Sequence, residues 1–296
     1  MFLGALIALL AGMEVVVRFG FSRFSKIEGR TESEYNAVLD LRNHPAGQSR
    51  NVLIVGSSLL LHAVDLPALR TQMGPEFKVT RYIVEQTAYL DWYYGMRKIY
   101  AKGVRPDAVV LLMSAGYMNI DDIRGDYFAY RLMRTQDFLR VSSDAELSPT
   151  ATFSLLTGNL SALYGTRTET RKFVFSKLVP SLMALRPYLL PAPLGPRDPG
   201  SMVIKVADRM QQFDALVRGN GGRFIFLEAP TRDSGDVKTA QEAGSRAGVT
   251  VLTALLAEKL SETEFLDPSH MNEAGAAHYT QALAPLLSAK IKQVLP

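Results

Sequence analysis

The chain contains no cysteine. Disulfides, thiolate nucleophiles and cysteine-ligated zinc are thereby excluded. Histidine is scarce: His44, His62, His270 and His278 are the whole supply, so any imidazole base is one of four residues. A strong charge of one sign is also missing. The 33 lysines and arginines nearly balance 29 aspartates and glutamates, leaving +4. That suits an anionic surface such as lipid headgroups or an acidic polymer. It does not single out nucleic acid, for which the chain has no motif. There is no Walker loop, no Gly-x-Gly-x-x-Gly and no His/Asp/Glu cluster at metal-ligand spacing, so neither a cofactor nor a metal is expected. Long apolar runs are absent except for one near the N-terminus.

That run, "MFLGALIALLAGMEVVV", has no ionisable side chain before Glu14 and is closed by Arg18. Counted through Val17 it is a slightly short membrane span. It lacks a basic leading region, and "LLAGM" is a poor small-x-small cleavage site, so an uncleaved anchor is the expectation rather than a signal peptide. A buried soluble helix is the plainer alternative. Arg18, Arg23, Lys26 and Arg30 follow the run. The positive-inside rule would keep that flank, and the body behind it, in the cytoplasm.

What is present is core material. Hydrophobic residues make up 47% of 296, enough for one large α/β core with insertions. Five short runs rich in Val, Ile, Leu and Phe read as strands buried on both faces: 51–56, 78–84, 107–114, 223–230 and 249–254. Helical patterns lie between them. One has Asp65 as its cap and Gly74 as its stop, another Asp91 at its start and Gly103 at its end. Thr31 with Glu34 fits a capping box for a polar helix. A last helix starts at Asn272 and runs toward Val294. Alternating strands and helices mean βαβ units and a parallel sheet. Residues 120–200 break the alternation with three wide-faced helical stretches and the proline-rich "RPYLLPAPLGPRDPG", which reads as a helical insertion. The division expected is an anchor and basic flank over 1–30 and a single α/β domain over 31–296.

The run "NVLIVGSSLLLHAVD" stops abruptly at Gly-Ser-Ser. In a parallel sheet a residue just past a strand's C-terminal end lies at the ligand edge. Ser58 is there, at the start of a helix, where backbone amides are near for an oxyanion. A serine hydroxyl needs a base to act as a nucleophile. In "FLDPSHMNEAGAAHYT" Asp267 precedes His270 by three residues, and this segment also belongs at the ligand edge. A carboxylate beside the imidazole would orient it and stabilise its cation. The plain alternatives are that Ser58 caps a helix, Asp267 caps a turn and His270 is a surface histidine.

The two segments resemble the first and last blocks of the SGNH (GDSL-type) hydrolases, with Gly-Ser-Ser in place of Gly-Asp-Ser and Asp-x-x-His before the final helix. The resemblance covers about residues 50–120 and 220–296. It implies a flavodoxin-like three-layer α/β/α sandwich and acyl chemistry through a serine ester. Ser58 would be the nucleophile, His270 the base and Asp267 its support, with Ser57 at the family's aspartate position. The oxyanion would be held by the amide of Ser58, by that of Thr87 or Ala88 in the glycine-free "VEQTAYLD", and by the side chain of Asn119 in "SAGYMNIDD". These departures are similar to the membrane-anchored members that modify envelope polysaccharides, of the alginate O-acetylation and teichoic-acid D-alanylation type. They imply a single-pass protein of the cytoplasmic membrane with its body outside, against the positive-inside reading. They also imply a glycan or acyl-ester substrate and a membrane acyltransferase partner of the MBOAT class. The leading expectation is an O-acyl esterase or O-acetyltransferase. The alternatives are a silent scaffold of a polysaccharide-modifying complex and a membrane lipid esterase. His62, four residues after Ser58, reads as a wall or packing histidine, His44 and His278 as surface residues, and Glu85, Asp121 and Asp122 as loop carboxylates.

Overall fold

Strands β1 (Arg50–Gly56), β2 (Phe77–Ile83), β3 (Ala108–Met113), β4 (Arg223–Glu228) and β5 (Thr250–Leu252) form one sheet in the order β2-β1-β3-β4-β5, parallel throughout. That is the flavodoxin-like order, with the chain reversing direction between β1 and β3. The structure, a computed structural model, describes residues 2–43, 49–178, 199–232, 235–256 and 259–295. His44, most of the proline-rich connector and residues 179–185 of the third insertion stretch lie outside them.

Side-chain alternation along the strands feeds two cores. Leu53 and Val55 point to one face with Trp92, Met96, Val206 and Phe213; Val52 and Ile54 point to the other with Leu60, Leu69, Tyr279 and Leu283. The first face is covered by helices α2 (Lys26–Asp40), α5 (Tyr89–Ala101), α12 (Pro199–Arg218) and α13 (Gly235–Ala247). The second is covered by α3 (Ser58–Ala63), α4 (Leu66–Met73) and α14 (Glu273–Val294). Burial on both sides explains why β1, β3 and β4 are almost continuously apolar. β5, at the edge and half-exposed, is only three residues long.

Helix ends follow the capping residues in most places. Asp65 caps α4 and accepts from the Ala68 amide, Gly74 ends it at φ 85°, and Asn272 caps α14. The Thr31–Glu34 box is corrected: α2 begins earlier, capped by Ser25, and Glu34 instead binds Arg81 and the Ile83 amide at the end of β2. The buried strand end offers Glu34 a cation and a free amide, which outcompete a local cap. Asp91 is not the first residue of α5 but its third, reaching back to the Ala88 amide.

After β3 comes the short α6 (Ala115–Met118), and the insertion then comprises α7 (Gly125–Arg131), α8 (Phe138–Asp144), α9 (Pro149–Leu160), α10 (Ala162–Gly165) and α11 (Arg167–Leu178), more broken than its sequence suggests. Helix α1 (Phe2–Phe24) precedes α2 and is long and apolar enough to cross a bilayer. The break between them is at Ser25, so α2 starts inside the 1–30 segment. Glu28 of α2 is fully buried against Tyr127 and Arg131, and Arg30 pairs with Glu85 at 2.8 Å.

Candidate active site

Gly56 is required where β1 meets α3: a Cβ there would stand 2.7 Å from the Leu112 carbonyl oxygen and 3.0 Å from the Leu60 Cβ. The close approach lets α3 start directly at the strand end. Ser57 is its N-cap, accepting from the Leu59 amide at 3.4 Å, and is buried. The two serines therefore divide the tasks. Ser57 terminates the backbone of the helix, and Ser58, its first residue, keeps its hydroxyl for the site.

The partner loop is a small hairpin. Phe265 and Met271 form an antiparallel bridge, and the Leu266 amide donates to the His270 carbonyl at 2.8 Å. Within it Asp267 Oδ1 accepts from the amides of Ser269 (2.9 Å) and His270 (3.0 Å). The carboxylate is thus locked in place, 2.9–3.0 Å from His270 Nδ1. The imidazole's other nitrogen, Nε2, lies 2.9 Å from Ser58 Oγ. With Nδ1–H donating to Asp267, Nε2 is the acceptor for the Ser58 proton. Partial burial would raise the Asp267 carboxyl, but the His270 ring and the two amides outweigh it and hold it below the usual range. It is an anion whenever the imidazole is at work.

Of the proposed oxyanion donors, the Ser58 amide opens α3, ahead of its intrahelical hydrogen bonds, whereas Thr87 is buried and closes the turn over Glu85 and Gln86. The Thr87 hydroxyl is taken, donating to the Val84 carbonyl and accepting from Trp92 Nε1 at 2.8 Å. Ala88 is corrected: its amide donates to Asp91 Oδ2 at 2.8 Å, closing the first turn of α5. Burial pushes Asp91 up to about 7, opposed by the amides of Ala88 and Arg124. Asn119 ends α6 and is half-buried; among the described residues no hydrogen bond joins it to Ser58 or His270. In the glycine-free loop Gln86 takes φ 58°, the left-handed conformation a glycine would adopt most readily.

His62 is a neighbour whose role the residue spacing only hinted at. Its ring packs edge-on against that of His270, centroids 4.9 Å apart. Burial, then the His270 cation, push its pKa down, so His62 is a neutral wall. Glu85, past β2, is held by Arg30, and Asp121 by Lys205 and Arg209. His278 is exposed and bonded to Glu264 at 2.9 Å. One buried acid went unnoticed in the sequence. Glu228, the last residue of β4, is buried, and neither carboxyl oxygen makes a well-formed hydrogen bond among the described residues. Burial first, then Asp236, hold it protonated well above the usual range, against the Ala115 amide. Its place inside an apolar strand concealed it. Among the described residues no group of three or more His, Asp or Glu is arranged to hold a metal.

No family model and no curated protein matches the chain. Among solved structures, that of TesA matches over 80% of this chain and 98% of its own, at 11% identity and a TM-score of 0.40. At that level of likeness, function has to be sought in this chain's own geometry.

Proposed function

We propose that this protein is a serine-dependent ester hydrolase or acyltransferase that works through an acyl-Ser58 intermediate. The observation that carries the reading is the continuous line Ser58 Oγ–His270 Nε2, His270 Nδ1–Asp267, each step 2.9–3.0 Å. Ser58 Oγ attacks the ester carbonyl and gives its proton to His270 Nε2. The resulting oxyanion is met by the amide of Ser58 at the start of α3. The C–O bond to the leaving alcohol breaks, and the alcohol takes the proton from His270. Water or a second hydroxyl then attacks the acyl-serine, the same imidazole accepting its proton; the acyl–Oγ bond breaks and Ser58 Oγ takes that proton back from His270.

For the acceptor we favour a hydroxyl of a cell-envelope polysaccharide, with the acyl group supplied by a membrane acyltransferase of the MBOAT class. Two features support this. His270 and Asp267 keep 27% and 51% of their side chains exposed, an opening that suits a polymer rather than a small enclosed ligand. The anchor also leaves the body near this edge: Arg30 and Glu34 of α2 bind Glu85 and the end of β2. The body is then expected outside the cytoplasmic membrane. Treatment of the full-length protein with a fluorophosphonate probe, followed by peptide mapping, tests the chemistry. Labelling of Ser58 is expected; an unlabelled protein leaves the scaffold reading. Turnover of acetylated sugars but not lysolipids is expected, and the reverse preference makes it a lipid esterase.

A further inference from the structure

Glu14 interrupts the apolar run of α1, yet it does not face water alone. Its carboxylate accepts from three donors in the insertion: Ser161 Oγ at 2.7 Å, the Ala162 amide at 2.8 Å and the Leu163 amide at 3.0 Å. Arg18, one turn on, pairs with it at 2.6 Å and donates to the Leu160 carbonyl at 2.9 Å. The corner between α9 and α10 is therefore fastened to one face of α1 at the level of residues 14–18. The opposite face stays apolar and open at that same level and beyond: Val15, Val16 and Phe19 are 56%, 64% and 68% exposed. On α9, which ends at this corner, Phe153 and Leu160 are 71% and 60% exposed and lie two turns apart on one side of the helix. Exposed cations, Arg23 and Lys26, follow the stripe.

We infer that the α9–α10 corner is seated in an anionic bilayer beside α1, with Phe153 and Leu160 in contact with lipid. The inference rests on α1 being a membrane helix and adds a second membrane-bound element to it. A bilayer that covers the open face of α1 down to Phe19 must also reach Leu160, because Arg18, the residue just before Phe19, touches the Leu160 carbonyl. The Glu14–Arg18 pair and the three donors at the start of α10 satisfy the charges that lie at this depth. Arg23 and Lys26 come just past Phe19, where lipid phosphates would be.

The absence of cysteine makes the test direct, since one introduced cysteine is the sole labelling site. Full-length F153C, L160C, V16C and L286C proteins, each nitroxide-labelled, are reconstituted in phosphatidylcholine–phosphatidylglycerol vesicles. Leu286 lies on α14, across the sheet, and is also exposed. Collision rates with oxygen and with a water-soluble nickel chelate are then compared. The expected result is nickel access at 153 and 160 several-fold lower than at 286, with oxygen access higher. Water-like values at 153 and 160 with lipid-like values at 16 overturn the seated corner and leave the anchor. Water-like values at 16 as well overturn the anchor itself.

Discussion

Adjacent hydroxyls with different work are the clearest feature at the scale of single residues. Ser57 caps α3 and Ser58 meets His270, so their alanine variants should fail in different ways. Ser58→Ala is expected to lose roughly 10^4-fold or more of kcat, and His270→Ala as much, because the two act as a unit. Its thermal midpoint should barely move. Ser57→Ala should keep a working triad and lose about 1 kcal/mol of stability with the cap. Steady-state kinetics and thermal melts read the two effects separately; an inactive Ser57→Ala beside an active Ser58→Ala would reverse the assignment. Glu228 makes a pH prediction. Its carboxyl is held protonated in the folded protein, whereas an unfolded glutamate loses its proton near 4.5. The folded state then binds the extra proton above that pH, so stability declines as pH rises until the buried group itself ionises. Glu228→Gln cannot titrate. Melts between pH 5 and 8 should show the variant gaining on the parent as pH rises, and parallel curves would disprove the buried proton.

Between elements, the joint that matters most is α2 with α7. Glu28 is fully buried and accepts from Tyr127 Oη at 2.6 Å and from Arg131. It ties the helix that follows α1 to the insertion, across 103 residues of chain. Removing one member of a buried pair leaves the other charge without compensation. Glu28→Ala is therefore expected to cost about 3–5 kcal/mol, measured by denaturant unfolding. A loss below about 1 kcal/mol would mean that Arg131 finds another partner. A similar logic explains Ala88. Its amide closes the first turn of α5 onto Asp91, and an amide engaged in the frame of a helix is not free for an oxyanion.

On the scale of the molecule, α1 is part of the body rather than a detachable tail. Glu14, Arg18 and Phe21 all touch the insertion, the last through Phe173 with ring centroids 5.9 Å apart. A deletion of residues 1–30 would remove these contacts together with Glu28 and strand Arg131. A deletion of residues 1–13 spares them. That shorter form is expected to fold, to react with the fluorophosphonate probe, and to leave membranes on alkaline carbonate washing, whereas the full-length protein needs detergent. Detergent dependence of the shortened form would place the membrane hold elsewhere in the chain.

The sheet and the three layers were legible in the sequence because burial on both faces demands uninterrupted Val, Ile, Leu and Phe, and five such runs are visible. Ser58, Asp267 and His270 were legible as candidates because a strand end and an Asp-x-x-His loop are local patterns. Their meeting across 212 residues was not, since no local pattern encodes a distance between loops; the order of the strands brings them to one edge. Nor did the sequence reveal which of two serines caps α3 or that Ala88's amide is taken. Those depend on which partner reaches a polar group first. Glu14 shows it most plainly: by itself it is a charge spoiling an apolar run, and only the packed insertion, with three donors converging on it, turns it into a joint.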